Sequence, residues 1–246
     1  MAWQGLCFSI ISYAAWAPGV ETPEAWTAWA NGEAAIAGQK EAPVSAMPPM
    51  LRRRAGRLGK MALEVAYQCL DQRSDVPMVF CSRHGEVARS VELISDLASD
   101  VSLSPTNFGL SVHNAAAGLF SIARGDRANH VALAAGSSSV EHAVIEACGL
   151  LADGAPMALL VVYDCPLPAV YAAFDDEHGQ AHAWAWLMQP AGDNAVSLTW
   201  SAATTSDEPD AVKTAGSLDI LRFQLRGDRE LQRVSDGRLW RWERHV

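Results

Sequence analysis

The spacing of hydrophobic and polar residues divides most of the chain into alternating helices and strands. Helices are predicted in four segments, at 22–31, 58–70, 86–97 and 138–152. Short apolar runs predict strands at 5–14, 77–81, 131–135 and 157–163. Asn114 is predicted to cap a further helix, since its side-chain oxygen can accept a backbone N–H. This alternation indicates an α/β domain with a largely parallel sheet.

The residues that follow Cys165 lack this alternation. Four segments can still be assigned from their patterns: two antiparallel strands at 181–188 and 195–201 joined by 190–194, a polar loop at 207–215, and an edge strand at 237–243. We therefore predict an α/β part over residues 1–165. Residues 166–246 are predicted to form a β-rich extension that packs on the same domain.

The helix predicted at 138–152 has two unlike faces. At about 100° per residue, one arc of its surface carries mainly polar residues, namely Glu141, His142, Glu146, Gly149 and Asp153. The opposite arc is apolar. The polar arc is therefore expected to face solvent.

The composition is that of an ordinary globular protein with an acidic surface. Half of the 246 residues are hydrophobic and the formal net charge is −9, which argues against general nucleic-acid binding. No apolar run reaches the roughly 18 residues that a membrane span needs. The apolar segment 5–14 has no basic leader, so a cytoplasmic location is expected. The five cysteines lack CxxC spacing and are expected to be buried, reduced thiols rather than disulfides or metal ligands.

A local basic cluster stands out against this acidic background. It consists of Arg52, Arg53, Arg54, Arg57 and Lys60. Such a cluster is either the solvated start of a helix or a landing surface for an acidic partner protein. The sequence leaves both interpretations open.

Two groups of residues suggest nucleophilic chemistry, and each also has a structural explanation. Ser137, Ser138 and Ser139 lie at the start of a predicted helix and could act as nucleophiles with His142 or His113 as the base. However, the segment is not a GxSxG motif. Serines at a helix start also usually act as caps. Cys81 and His84 have the spacing of a thiol–imidazole pair. Cys81 is also expected at the buried end of a strand.

The order of motifs between Ser104 and Ser139 resembles the β-ketoacyl synthase family. The segment SPTNFGLSVHNAAAGLFSI is followed by Arg-Gly, by the apolar run VALAA and by the turn GSSS. In active members of the family a Cys lies at this strand–helix elbow, where the helix N-terminus lowers its pKa. Gly136 occupies the matching position here. The resemblance covers roughly residues 1–165 and implies the N-terminal half of a thiolase-like fold, with a mixed sheet, packed helices and a small antiparallel C-terminal addition.

The resemblance also implies a protein that is not an enzyme on its own. The second half of these synthases supplies two catalytic histidines, and none of the seven histidines here lies in the corresponding motifs. Segments 80–86 and 104–114 are most similar to half-length chain length factors of type II polyketide systems, found with aryl polyene pigments. The family implies two partners, an active β-ketoacyl synthase and an acyl carrier protein, with the carrier expected at Arg52, Arg53, Arg54 and Arg57. It implies no cofactor and no metal.

The resemblance assigns further residues to the contact with the synthase. His84 and either Asn107 or Phe108 match positions that face the partner's acyl pocket, although they could equally be packed interface residues. The dimer interface would be formed by the strand before the elbow and by the segment that follows Phe108, with candidates Ser111, Val112, His113, Asn114, Ala132, Ala134 and Ala135. Two alternatives remain: a stand-alone scaffold that binds acyl groups or acyl carrier protein, and a serine thioesterase.

Overall fold

One eight-stranded mixed sheet runs through the computed structural model, which describes residues 4–175, 179–204 and 216–245. The strands are β1 Gln4–Trp16, β2 Met78–Cys81, β3 His130–Leu133, β4 Ala158–Asp164, β5 His182–Pro190, β6 Val196–Ala202, β7 Glu230–Ser235 and β8 Arg238–Arg244. Their order across the sheet is β3-β2-β4-β5-β1-β6-β8-β7.

Only three of these strands are parallel to one another. β2 pairs in parallel with both β3 and β4, whereas all other neighbouring pairs are antiparallel. The predicted parallel sheet is therefore confined to the edge that contains β3. This arrangement leaves β3 as one outer strand of the sheet and β7 as the other.

Helices cover both faces of the sheet. They are α1 Pro23–Ala30, α2 Pro49–Arg52, α3 Arg57–Leu70, α4 Val87–Ala98, α5 Pro105–Gly109, α6 Ala115–Arg124, α7 Ser139–Ala152 and α8 Gly216–Arg226, with a 3-10 helix at Ala169–Phe174. Asn114 is the N-cap of α6 as predicted, but its side chain makes no capping hydrogen bond.

Two hydrophobic cores lie on opposite faces of the sheet. One contains the apolar face of α7 together with α1, α8 and the tryptophans of β5 and β8. The other contains α3 and α6. β4 contributes to both, with Leu160 and Val162 on one side and Leu159 and Val161 on the other. A strand covered on both faces must be apolar throughout, which explains the uninterrupted apolar run of β4.

The C-terminal strands differ from the prediction in three ways. β5 and β6 do not form a hairpin, because β1 lies between them and pairs antiparallel with each. β8 is not an edge strand, since it pairs with both β6 and β7. Helix α8 and strand β7 were not predicted from the sequence, and the loop predicted at 207–215 lies outside the described residues.

The polar arc of α7 is only partly exposed, contrary to the prediction. Gly149 and Asp153 are exposed, but Glu141 is fully buried and forms an ion pair with Arg233 of β7. His142 packs edge-on against Trp240 of β8, with ring centroids 5.3 Å apart. The C-terminal strands therefore cover the first turns of α7. Within the described ranges, no helix is long and apolar enough to cross a membrane.

Candidate functional site at the strand–helix elbow

Gly136 lies in the tight turn between β3 and α7, which we call the elbow and define as residues 134–138. Its φ of +59° is in the left-handed region, which glycine adopts without steric cost. The turn follows the carboxyl end of β3 and leads directly into the N-terminus of α7. This is the geometry that displays a nucleophile in strand–turn–helix enzymes. Here the displayed residue has no side chain.

Of the three consecutive serines at 137–139, Ser138 and Ser139 form hydrogen bonds with backbone groups of the elbow. The Ser139 hydroxyl donates to the Gly136 carbonyl at 2.7 Å and accepts from the Ala135 N–H at 2.9 Å. The Ser138 hydroxyl lies 3.2 Å from the Ala135 carbonyl. Ser138 is the N-cap of α7 but makes no side-chain capping hydrogen bond; the contacts of both hydroxyls bond backbone groups of the turn.

Asp236 brings a carboxylate to the elbow from a distant part of the chain. It lies in the turn between β7 and β8, and its Oδ2 accepts hydrogen bonds from the Ser138 N–H at 2.8 Å and the Ser138 hydroxyl at 2.6 Å. Sequence reasoning missed this residue. No local pattern signals a contact across 98 positions, and residues 230–235 were not recognised as a strand.

His142 is not placed to activate an elbow serine. Its Nδ1 donates to the Ser138 carbonyl at 2.9 Å, and its Nε2 lies 3.3 Å from a guanidinium nitrogen of Arg238. Both ring nitrogens are therefore engaged by groups other than a serine hydroxyl. His113, the other proposed base, directs its Nε2 to the Leu133 carbonyl at 3.2 Å. The described residues contain no serine–histidine pair at the elbow, which removes the structural basis for a thioesterase here.

The loop that follows β2 is held next to the elbow by a chain of buried contacts. The Asp164 carboxylate accepts from the Ser82 hydroxyl at 2.8 Å and from the Arg83 N–H at 3.1 Å. Gly85 has φ +60°, and a Cβ there would lie 2.5 Å from the His113 ring. Glycine is thus required by both the backbone and the packing. His113 links this loop to the end of β3, so it is an internal contact as well as an interface candidate.

The three acyl-pocket candidates lie on two different elements. His84 is half-buried in the loop after β2, beside a small cavity lined in part by Asp164 and His182. Asn107 and Phe108 lie on α5, where Phe108 is 66% exposed and the Asn107 side-chain oxygen accepts from Arg89 at 3.2 Å. Their role at a partner's pocket remains a prediction.

The interface candidates lie on β3, in the elbow and in the segment before α6. Val112, Asn114 and Ala134 are exposed, and Ser111, Ala132 and Ala135 are half-buried. Large apolar side chains are exposed on α4, α5, α6 and the loop between α4 and α5: Ile94, Leu97, Val101, Leu103, Phe108 and Ile122. We call these six residues together with Val112 the apolar patch.

The basic cluster is partly used within the chain. Arg52 donates to the carbonyls of Pro43 and Val44, both at 3.4 Å, and Arg57 donates to the Gln39 side chain at 2.8 Å. Lys60 forms a 2.6 Å ion pair with Glu41. These contacts hold the preceding loop against α3. Two members of the cluster, Arg53 and Arg54, are exposed.

The cysteines offer no activated thiol at the elbow. Burial, followed by the charges of Asp164 and Glu141, raises the pKa of Cys81 well above its ordinary value, so this thiol stays protonated. The thiol–imidazole interpretation of Cys81 and His84 therefore has no electrostatic support. All five cysteines are free, but Cys7 is exposed, contrary to the expectation that all are buried. The described part of the chain contains no cluster of His, Cys, Asp or Glu placed to hold a metal ion.

A separate cavity of about 600 Å³ lies where β2 and β4 end, on the side of α3 and α4. Its lining includes Arg57, Glu86, Arg89 and Cys165. Burial raises the pKa of Glu86 while the nearby Arg89 opposes that shift, with Nε 3.7 Å from the carboxylate. Burial also raises the pKa of Cys165 to about 12, so the cavity contains no ready nucleophile.

Comparison with known proteins identified related sequences and structures. The family model for the β-ketoacyl synthase N-terminal domain matches residues 26–243. The structure is similar to a chain in the complex of the ketosynthase ApeO with its chain length factor ApeC from Xenorhabdus doucetiae, with a TM-score of 0.84 and 26% identity over 97% of this chain and 100% of that chain. A search of curated protein sequences found no match.

More distant structures share the fold. The ishigamide ketosynthase/chain length factor matches with a TM-score of 0.63 and 16% identity, covering 81% of this chain and 68% of that chain. The complex of a type II polyketide acyl-carrier protein with its ketosynthase, AntDE:AntF, matches with a TM-score of 0.57 and 11% identity, covering 75% and 63%. These matches confirm the predicted resemblance and the mixed α/β, thiolase-like fold class.

Proposed function

The chain belongs to the β-ketoacyl synthase N-terminal-domain family, and we propose that it is a non-catalytic subunit of the chain length factor type. In this proposal it pairs with an active β-ketoacyl synthase in a type II polyketide pathway of the aryl polyene kind. The partner forms the carbon–carbon bonds. This chain completes the dimer and limits the cavity that holds the growing acyl chain.

The observation that carries the proposal is the elbow without a nucleophile. The strand, the left-handed turn and the helix N-terminus are all present, yet Gly136 offers no atom that an acyl group could modify. Family members that catalyse condensation need a thiolate at this position. A chain that keeps the framework of the site and lacks its reactive group fits a supporting subunit.

The outer strand β3 and the apolar patch support the need for a partner. A bare sheet edge exposes unpaired N–H and C=O groups, and proteins usually cover such an edge. Ile122 of the apolar patch lies on α6, which packs against β3, and exposed apolar side chains beside a sheet edge suit an interaction site. Coverage of the whole matched chain in the ApeO–ApeC structure is consistent with a subunit of this length in a ketosynthase complex.

The acyl carrier protein is proposed to contact the exposed part of the basic cluster. Arg53 and Arg54 are exposed, and the neighbouring Met50 is 76% exposed. Two cations beside an apolar side chain suit an acidic helical partner. We expect Arg52 and Arg57 to contribute less to carrier docking than the sequence suggested, because their side chains bind the loop at 39–44.

Co-expression with the synthase from the same gene cluster tests the proposal, with Ala132→Pro as the interface variant. The carbonyls of Asn129 and Leu133 accept from β2, so the alternating strand geometry directs the N–H of Ala132 to the open edge. Proline is tolerated where an edge N–H faces solvent. Ala132→Pro should therefore fold normally as an isolated chain, but it should no longer copurify with the synthase.

A control variant and a second interface variant make the result specific. Ala35→Pro, in an exposed loop, should leave copurification unchanged. Ala134→Pro, one residue beyond β3, should also weaken the complex. Wild-type yield of complex with Ala132→Pro would show that β3 is not the interface, and an isolated chain that condenses malonyl and acyl thioesters would refute the non-catalytic role.

A further inference from the structure

The loss of the nucleophile is accompanied by a second change at the elbow, supplied by the C-terminal hairpin of β7 and β8. A Cβ placed on Gly136 would lie 3.3 Å from both carboxylate oxygens of Asp236. Contacts this short force neighbouring atoms to move. A nucleophile at position 136 would therefore lie directly against the Asp236 carboxylate.

Asp236 also changes the electrostatics of the helix start. The N-terminus of α7 carries a partial positive charge and free N–H groups, which in an acylating enzyme would stabilise a thiolate. In this chain the carboxylate accepts from the Ser138 N–H at 2.8 Å and from its hydroxyl at 2.6 Å. The positive end of the helix is thus already compensated, and a second anion beside Asp236 would be repelled.

The hairpin that carries Asp236 is fixed to the elbow at two further points. Arg233 pairs with the buried Glu141 of α7, and one of its nitrogens lies 3.5 Å from the Ser137 carbonyl. The guanidinium passes over Gly216, where any side chain would overlap it. Asp236 has a φ of 49°, in the left-handed region of the hairpin turn. Asp236 itself is exposed, and the contacts of Arg233 with Glu141 and with the Ser137 carbonyl hold its hairpin against the start of α7.

We infer that Asp236 closes the elbow of this subunit against thioesters, independently of the missing cysteine. It adds a second barrier to acylation of this subunit, which in the proposed complex leaves acyl transfer from a carrier to the partner. This consequence rests on the proposed function. The closure itself does not, and it can be measured on this chain alone.

Alkylation of an introduced thiol measures the closure. In the chain of 246 residues, Gly136→Cys should react slowly with iodoacetamide at pH 7.5. Adding Asp236→Asn should speed the reaction about threefold or more, because a thiol pKa lower by about one unit raises the thiolate fraction about tenfold and lowers its nucleophilicity about threefold. Asp236→Ala, which also removes the steric contact, should be at least as fast. Peptide mapping by mass spectrometry gives the rate at each site, with exposed Cys7 as the internal reference.

Matched variants separate closure from loss of structure. Asp153→Asn removes a charge from the opposite end of α7, where it is exposed, and should not change the rate. Buried Cys69 and Cys81 should stay unlabelled if the fold is intact. If Gly136→Cys does not fold at its left-handed position, Ser137→Cys reports on the same turn with the same expected dependence on Asp236.

The inference would be overturned if the introduced cysteine, at position 136 or 137, were alkylated at the same rate whether Asp236 is intact or replaced by Asn or Ala. That outcome would not affect the proposed dimer, which is tested by copurification. Conversely, loss of the dimer hypothesis would leave the alkylation result standing.

Discussion

The buried ion pair between Glu141 and Arg233 gives a prediction whose size follows from the structure. The Glu141 side chain is 0% exposed and that of Arg233 is 12% exposed. The second carboxylate oxygen of Glu141 has no hydrogen-bond partner among the described residues. Arg233 is therefore the main compensation for a negative charge inside the protein. Arg233→Met keeps much of the aliphatic volume and removes that compensation.

The expected cost is about 3–5 kcal/mol in the free energy of unfolding, because breaking a buried pair leaves an unpaired charge. Against the roughly 5–15 kcal/mol total of a typical domain, this is a large loss. Urea denaturation followed by tryptophan fluorescence and circular dichroism measures it. The double variant Glu141→Leu with Arg233→Met should recover much of the loss, since a buried pair can often be replaced by apolar residues.

Arg241→Met is the matched control on the same hairpin. Arg241 pairs with Glu230 at 2.8 Å, but the two side chains are 36% and 41% exposed. A pair this exposed contributes little to stability, because solvent screens it, so Arg241→Met should change the free energy of unfolding far less than Arg233→Met. A cost below about 1 kcal/mol for Arg233→Met, or a double variant no more stable than the single one, would refute the view that the pair compensates a buried charge.

Two further predictions concern pH and product length. Burial lowers the pKa of His182 from 6.5 to about 4, despite its hydrogen bond to the Gln180 carbonyl. As the pH falls, His182 is therefore protonated in the unfolded chain before it is protonated in the folded one. Between pH 6.5 and 4 this difference should cost up to about 3 kcal/mol of stability. Urea titrations at pH 7 and 4.5 should show a smaller pH dependence for His182→Gln, and an unchanged dependence would contradict this. If Asn107 and Phe108 reach the partner's pocket, Phe108→Ala should lengthen the products and Asn107→Trp should shorten them, as measured by mass spectrometry of products from the intact complex; an unchanged distribution would assign both residues to packing.

The sequence predicted the α/β part of the chain well because its signals are local. The apolar run at 157–163 and the helical spacing at 58–70 correspond to β4 and α3 within one residue at each end. Such patterns depend on burial that is similar along a whole element. The missing nucleophile at Gly136 was also visible, since it needs only the order of neighbouring motifs.

The C-terminal part was poorly predicted because its contacts are distant in sequence. The polar residues at the start of α7 looked solvent-facing, yet Glu141 is buried by an arginine 92 positions away. The pairing of β5 and β6 with β1, instead of with each other, likewise depends on a strand from the start of the chain. Asp236 was missed for the same reason. The side-chain pattern of a helix or strand shows which of its faces is buried. It does not show which distant element packs on that face.

The central place of β1 has a consequence for how the protein is made. β1 ends at Trp16 and pairs on both sides with β5 and β6, which begin only at His182 and Val196. At about 5–20 residues per second, β1 waits roughly ten seconds or longer for both neighbours. Its apolar side chains must be protected through that interval, and contacts between distant segments also slow folding. A nascent chain that stalls before β6 would expose the middle of its own sheet, so chaperone dependence during translation should be greatest until β6 has been made.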